Sequence, residues 1–192
     1  MQKIVLASNN KHKIKEFKEI LNQYEIVSLE DIGFVDEIEE TGTTFEENSM
    51  IKAKAVFDFL NQKHLDMMVI ADDSGLCCES LNGDPGVRSA RYAGNHDNQA
   101  NRDKLRKELQ GKKKDAFFIC CITLIKDPQT ILQFVGKTDG VIVDCERGDT
   151  SFGYDCIFLS NDLGKTFGEA TEDEKNRVSH RSRAIQQLVD SL

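Results

Sequence analysis

The chain has no tryptophan, only two prolines among 192 residues, and fewer basic side chains (25) than acidic ones (33). With so few prolines, no repeat and no low-complexity linker, nothing marks a hinge, and a single domain over 1–192 is expected. The formal net charge of −8 argues against a protein that coats nucleic acid, which would carry a basic face. It leaves room for a small basic pocket around a phosphorylated ligand. Long apolar runs are also missing: stretches such as Phe117–Ile125 reach about half of the ~20 residues a membrane span requires. Polar Ser8, Asn9 and Asn10 cut short the first apolar run, so the N-terminus lacks a signal-peptide profile. The six cysteines, at 77, 78, 120, 121, 145 and 156, form no C-x-x-C, which removes zinc-ribbon and thioredoxin motifs. A reduced cytoplasmic protein with free thiols is therefore expected.

What is present reads as an α/β protein. Lys3–Ala7 is a near-continuous apolar run, the mark of a buried strand. A helix follows with Ile14, Phe17, Ile20 and Leu21 on one face. A second helix is predicted over about Thr44 to Asn61, and a buried strand over Met67–Ala71, ending in Asp72-Asp73-Ser74-Gly75. Gly83-Asp84-Pro85-Gly86 is a loop, and a helix is expected near Asn98–Leu109. Phe117–Ile125 and Ile131–Val135 flank a turn and read as a hairpin, with Val141-Ile142-Val143 as a further short strand. Thr171 and Glu174 form a capping box, and a C-terminal helix carries Ala184, Ile185, Leu188 and Leu192 on one face. The order predicts a mixed central sheet with helices on both faces.

Five constellations could carry chemistry. Ser8, Asn9, Asn10, Lys11, His12 and Lys13 lie between the first strand and the first helix, where amides, the helix dipole and lysines favour an anion. Taken alone, the same residues are more simply an ordinary helix cap, since capping residues start most helices. The acidic stretch from Glu37 to Asn48 could ligate a hard divalent cation, or could merely enrich a helix start in glutamate. Asn48 and Lys52, four apart, share one helix face. Asp72 and Asp73 at the end of a buried strand are hard to explain as packing, because desolvated carboxylates are costly. A metal or a reacting water would explain them, and strand ends are where α/β ligands gather. Asp72 can instead be structural. Phe152 and Tyr154 around Gly153, followed by Asp155, suit a planar base that stacks on a ring. Arg181 could donate to a carbonyl oxygen of that base, and His180 could stack or donate. Equally, Phe152 could be core, and Lys175 and Arg181 the wet face of the last helix.

Taken together, ASNNKHKIKEF, EETGTTFEENSMIKAKA, ADDSGL, GDPGVRSARYAG, SFGYD and TEDEKNRVSHRSRA, in that order along the chain, resemble the inosine triphosphate pyrophosphatase family. One departure is Cys156, where the family usually has proline. The resemblance implies an inosine triphosphatase-like fold with a substrate cleft between two lobes. It also implies Mg2+-dependent hydrolysis of ITP, dITP and XTP to monophosphate and pyrophosphate, usually by a homodimer. By resemblance Ser8 to Lys13 hold the phosphates, with Lys52 adding a contact. Asp73 is the catalytic base and a metal ligand, and Glu40 is the other metal carboxylate. Ser74, Phe152, Gly153, Tyr154, Asp155, Lys175, His180 and Arg181 match the remaining substrate contacts. Neither nucleic acid nor membrane is expected as a partner. A Maf-like or broader pyrophosphatase would differ by acting on UTP or dTTP. A non-catalytic nucleotide-binding module would lack acid–base residues, which Asp72 and Asp73 supply.

Overall fold

The computed structural model describes residues 2–94 and 96–192. Among these, six strands form one mixed sheet in the order β2-β1-β3-β4-β5-β6. They are β1 Lys3–Leu6, β2 Glu25–Val27, β3 Met68–Cys78, β4 Asp115–Asp127, β5 Thr130–Ile142 and β6 Phe158–Ser160. The α-helices are α1 Lys11–Ile20, α2 Phe45–Gln62, α3 Asn98–Glu108, α4 Glu172–Val178 and α5 His180–Val189. β1 runs parallel to β2 and β3, with Val5 opposite Val27 and Val69. β6 lies antiparallel to the end of β5, with Val141 opposite Leu159.

The chain divides into two compact units. One comprises Met1–Asp73, Cys120–Val135 and Ala184–Leu192; the other comprises Ser74–Ile119 and Gly136–Arg183. In the first unit the period-2 alternation of the strands decides which helix covers which face. Ile4, Leu6 and Ile70 pack with Phe17 and Leu21 near α1 and with Ala184, Ile185 and Leu188 of α5. Val5, Val69 and Ala71 point the other way, into Ala53, Val56 and Leu60 of α2. Helices therefore cover both faces of these strands. The spacing of Ala53, Val56 and Leu60 is that of one helix stripe, and the Thr44–Glu47 capping box starts α2.

The second unit is built round aromatic rings. Phe118 meets Phe158 edge-on at 4.6 Å and stacks with Phe167 at 5.9 Å, the arrangements ring quadrupoles favour. Gly140 is required here, since a Cβ would sit 2.6 Å from the Phe158 ring.

Several local expectations need correction. β3 does not stop before the aspartates: it runs through Asp72 and Asp73 to Cys78, and nearly all of it is buried. The apolar Leu76-Cys77-Cys78 continues the strand. Val141 and Ile142 are the end of β5 rather than a separate strand, because the hairpin arms extend to thirteen residues each. The C-terminal segment is two helices, broken at Ser179, which adopts an extended ψ of 151°. β2 and β6, three residues each, are too short to show a period. All six cysteines are thiols outside any disulfide, and no helix among the described residues is long and apolar enough to cross a membrane.

Candidate active site

In the first unit, β1 leads through Ser8 and Asn9 to Asn10, which caps α1. The Asn10 Oδ1 accepts the amides of His12 at 3.0 Å and Lys13 at 3.2 Å, so the structural role open to this residue is filled. A cavity of about 310 Å3 opens here, lined by Ser8, Asn9, Asn10, Lys13, Glu40 and Lys52 among others. Two segments that are far apart in sequence thus meet. Lys11 and His12 are exposed on the first turn of α1, outside that lining.

Both aspartates of β3 are matched to lysines. Asp72, with a fully buried side chain, receives Lys13 Nζ at 2.9 Å. Lys52 Nζ lies 2.7 Å from Glu40 Oε1 and 3.5 Å from Asp73 Oδ1. The second oxygen of Asp73 accepts Asn48 Nδ2 at 3.1 Å. Asn48, itself fully buried, accepts the Gly42 amide at 2.8 Å with its own oxygen. One amide side chain therefore ties the Glu40 loop to the Asp73 carboxylate. Glycine is needed at 42, since a Cβ would fall 2.6 Å from Asn48 Oδ1.

The electrostatics follow from this crowding. Burial pushes the Asp73 carboxyl above its ordinary range, and the neighbouring lysines Lys52 and Lys13 only partly oppose it. Burial also disfavours the charged Lys52, but Asp73, Asp72 and Glu40 outweigh it and hold the ammonium's pKa above normal. The two directions agree physically: three carboxylates share two ammonium groups, so the lysine is over-supplied with partners and the aspartate under-supplied.

In the second unit, Ser74 follows Asp73 directly in the chain, and its hydroxyl accepts Arg181 Nη2 at 3.0 Å. Arg181 and His180 are buried, not the wet face of a helix. His180 stacks on Phe118 with centroids 4.8 Å apart and planes 13° apart. Lys175 pairs with Asp155 at 2.5 Å and lies 5.1 Å from the Phe152 ring. Gly153, at φ +49°, separates the fates of the two rings beside it. Tyr154 turns into the core and donates its hydroxyl to the Ser89 carbonyl at 2.8 Å. Phe152 stays half-exposed.

The sequence profile of the Ham1 family matches residues 4–191. The chain belongs to the Ham1 family. This Ham1 chain is 47% identical to a dITP/XTP pyrophosphatase of Clostridium perfringens, over all of this chain and 98% of that one. It is 46% identical to a dITP/XTP pyrophosphatase of Bacillus subtilis, with the same coverage. The fold matches that of the Staphylococcus aureus Ham1 protein with a TM-score of 0.87 and 39% identity, covering 99% of this chain and 97% of that one. A HAM1 protein of Coxiella burnetii matches at 0.88 and 36%, covering 100% and 98%.

Two features of this Ham1 site escaped the sequence pattern. Asn48 was visible only as a neighbour of Lys52 on a helix face; a polar residue among the buried Phe45, Ala53 and Val56 was the available signal. The pairing of Asp72 with Lys13 had none, because the two are far apart in sequence.

Proposed function

We propose that the chain hydrolyses the deaminated purine nucleotides ITP, dITP and XTP to monophosphate and pyrophosphate in the cytoplasm, as a Mg2+-dependent homodimer without nucleic acid or membrane. Both compact units serve this one reaction, so the chain acts as a single pyrophosphatase domain. The observation that carries the reading is Asp73, held between Lys52 and Asn48 in a unit whose cavity is lined by Ser8, Asn10 and Lys13. The names of the relatives supply the substrate class.

Ser8, Asn9, Asn10 and Lys13 take the phosphates, with Lys52 adding charge and Lys11 and His12 reinforcing the positive first turn of α1. Asp73 takes a proton from the water that attacks the α-phosphorus. The bond to the β-phosphate oxygen breaks, and pyrophosphate leaves with that oxygen. Burial holds the Asp73 carboxyl above its ordinary range, which makes its carboxylate a stronger base for this step. No covalent intermediate is needed, so the buried thiols stay out of the chemistry.

The donor set fits a magnesium ion: Glu40 and Asp73 offer carboxylate oxygens, joined through Lys52, and three carboxylates exceed two ammonium groups by one charge. Magnesium takes few protein ligands and completes its shell with water and phosphate oxygens. When bound, Mg2+ would neutralise charge developing on the leaving pyrophosphate.

The second unit reads the base. Phe152 and Gly153 supply the platform, Asp155 and Lys175 hold its edge, and Tyr154 anchors it from the core. Arg181, which donates to Ser74 and follows His180 in the chain, offers only N–H donors and no acceptor atom. It matches a 6-oxo purine and opposes the 6-amino donor of adenine, a mismatch that leaves buried donors unpaired. Pyrophosphate release from ITP, dITP, XTP, ATP, UTP and dTTP, with and without Mg2+, tests the whole reading. Metal-dependent release confined to the deaminated purines is expected; equal release from UTP and dTTP, or none from ITP, would overturn it.

A further inference from the structure

Helix α3 carries a buried arginine that the pyrophosphatase reading does not use. Arg102 is 3% exposed, although a guanidinium is among the groups least often buried. Its Nε meets Glu146 Oε1 at 3.1 Å, and Nη2 meets Gln99 Oε1 at 2.8 Å. Its Nη1 donates to two backbone carbonyls, Thr150 at 3.3 Å and Gly153 at 2.8 Å. One turn earlier on the same helix, Asn98 Nδ2 donates to the Ser151 carbonyl at 3.2 Å. The carbonyls of 150, 151 and 153 are thus held from a single helix, and they bracket Phe152. Glu146, which begins this stretch, is tied to α3 by Gln99, Arg102 and Arg106 through one oxygen.

A structural arginine needs one carboxylate partner to justify its burial. Arg102 has Glu146 for that purpose and still spends donors on the backbone around Phe152. A planar fork fixes the direction of the carbonyls it binds. Arg102 thus holds the peptides one step beyond Phe152 on either side, 150–151 and 153–154, while Asn98 holds the adjoining 151–152 peptide. Together they restrain the backbone that carries the Phe152 Cα–Cβ bond. Gly153, at φ +49°, sits in a turn closed by the Asp155 amide on the Phe152 carbonyl at 3.2 Å, and the Arg102 contact to the Gly153 carbonyl anchors that turn to α3.

We propose that Arg102, assisted by Asn98, is a positioning residue that sets the orientation of Phe152 as the platform for the purine ring. This rests on the reading of Phe152 as a base contact, and the test separates the two. Because the chain has no tryptophan, Phe152→Trp places a single indole at the platform. In that background Arg102→Leu should raise acrylamide quenching of the indole about twofold or more, as a loop released from its contacts opens to solvent. Asn98→Ala and Arg102→Lys should raise it less, with far-UV circular dichroism unchanged. In the otherwise unaltered chain, Arg102→Leu should raise KM for ITP about tenfold, the scale of a lost base-stacking contact, with kcat within about twofold. Inhibition by inorganic pyrophosphate, which engages only the phosphate end, should not move, and Arg102→Lys should restore part of the ITP affinity.

Unchanged quenching in folded variants would overturn the proposal, as would equal shifts in ITP affinity and pyrophosphate inhibition. Should Arg102→Leu fail to fold, Asn98→Ala and Arg102→Lys make the same comparison, and parental quenching in both would overturn it. A parent chain that releases no pyrophosphate from ITP would defeat the pyrophosphatase reading alone, leaving the quenching series to decide the role of Arg102.

Discussion

The two units solve opposite problems. The first holds three carboxylates and two lysines in near contact, with Lys13 on Asp72 at 2.9 Å and Lys52 on Glu40 at 2.7 Å. None of these charges is needed to close a core that Val5, Val69, Ala53 and Leu60 already fill. The second unit uses residues that the core would want anyway: His180 lies on Phe118, Tyr154 hangs from Ser89, and Arg181 reaches Ser74. Charges buried against their own solvation cost advertise a function. Rings and donors that also pack do not.

The comparison can be broken in several places, taken from the largest effect to the smallest. Lys13→Ala leaves Asp72 buried without its ammonium, so stability should fall by about 3–5 kcal/mol. Adding Asp72→Asn should recover most of that in denaturant titrations. A loss below about 1 kcal/mol would mean that the pair behaves as a surface one. Asp73→Asn should keep the fold and lower kcat by about a hundredfold or more, the size of a lost general base, without altering the ranking of bases. Near-normal turnover at saturating Mg2+ would remove Asp73 from the chemistry.

In the second unit Tyr154→Phe should cost about 1–2 kcal/mol, since the Ser89 carbonyl loses its donor, and thermal melts would show a drop of a few degrees. ITP turnover should hardly change; a collapse of turnover without loss of stability would return Tyr154 to the base contact. Smallest is Glu174→Gln. The Lys165 ammonium and the Thr171 amide hold the Glu174 carboxyl down at about 2, below its ordinary value. Between that value and the ordinary range the unfolded chain binds the extra proton, so this contribution is present near neutrality and lost as pH falls towards about 2. The melting temperatures of parent and variant should therefore differ at pH 7 and converge on acidification. A gap that persists at pH 2 would assign the effect to packing.

Sequence pattern made the first unit nearly transparent and the second much less so. Ile4-Val5-Leu6 and the stripe of α2 are regular enough to place strand and helix within a residue or two. Asp72 and Asp73 declare themselves by polarity alone, yet they read as the end of a strand, because two charges normally end one. Here the lysines let the strand continue. The break at Ser179 carries neither proline nor glycine, so one helix was expected where two stand. Tyr154 and Phe152 are alike on paper; only the positive φ of Gly153 sends them to different environments. Arg102 sits one turn before Leu105 on the buried face of α3, a placement visible in the spacing but not its partners on the loop.

The division of labour itself is tested most directly by catalytic efficiency for ITP and ATP in the parent, in Asp73→Asn and in Arg181→Met, which keeps most of the buried stem. Losing a charge-assisted hydrogen bond to the 6-oxo oxygen should lower ITP efficiency about ten- to a hundredfold in Arg181→Met. ATP should fall far less, while Asp73→Asn should lower both substrates by the same factor. If Arg181→Met also lowers ITP and ATP equally, the second unit does not read the base through Arg181, and the account is contradicted.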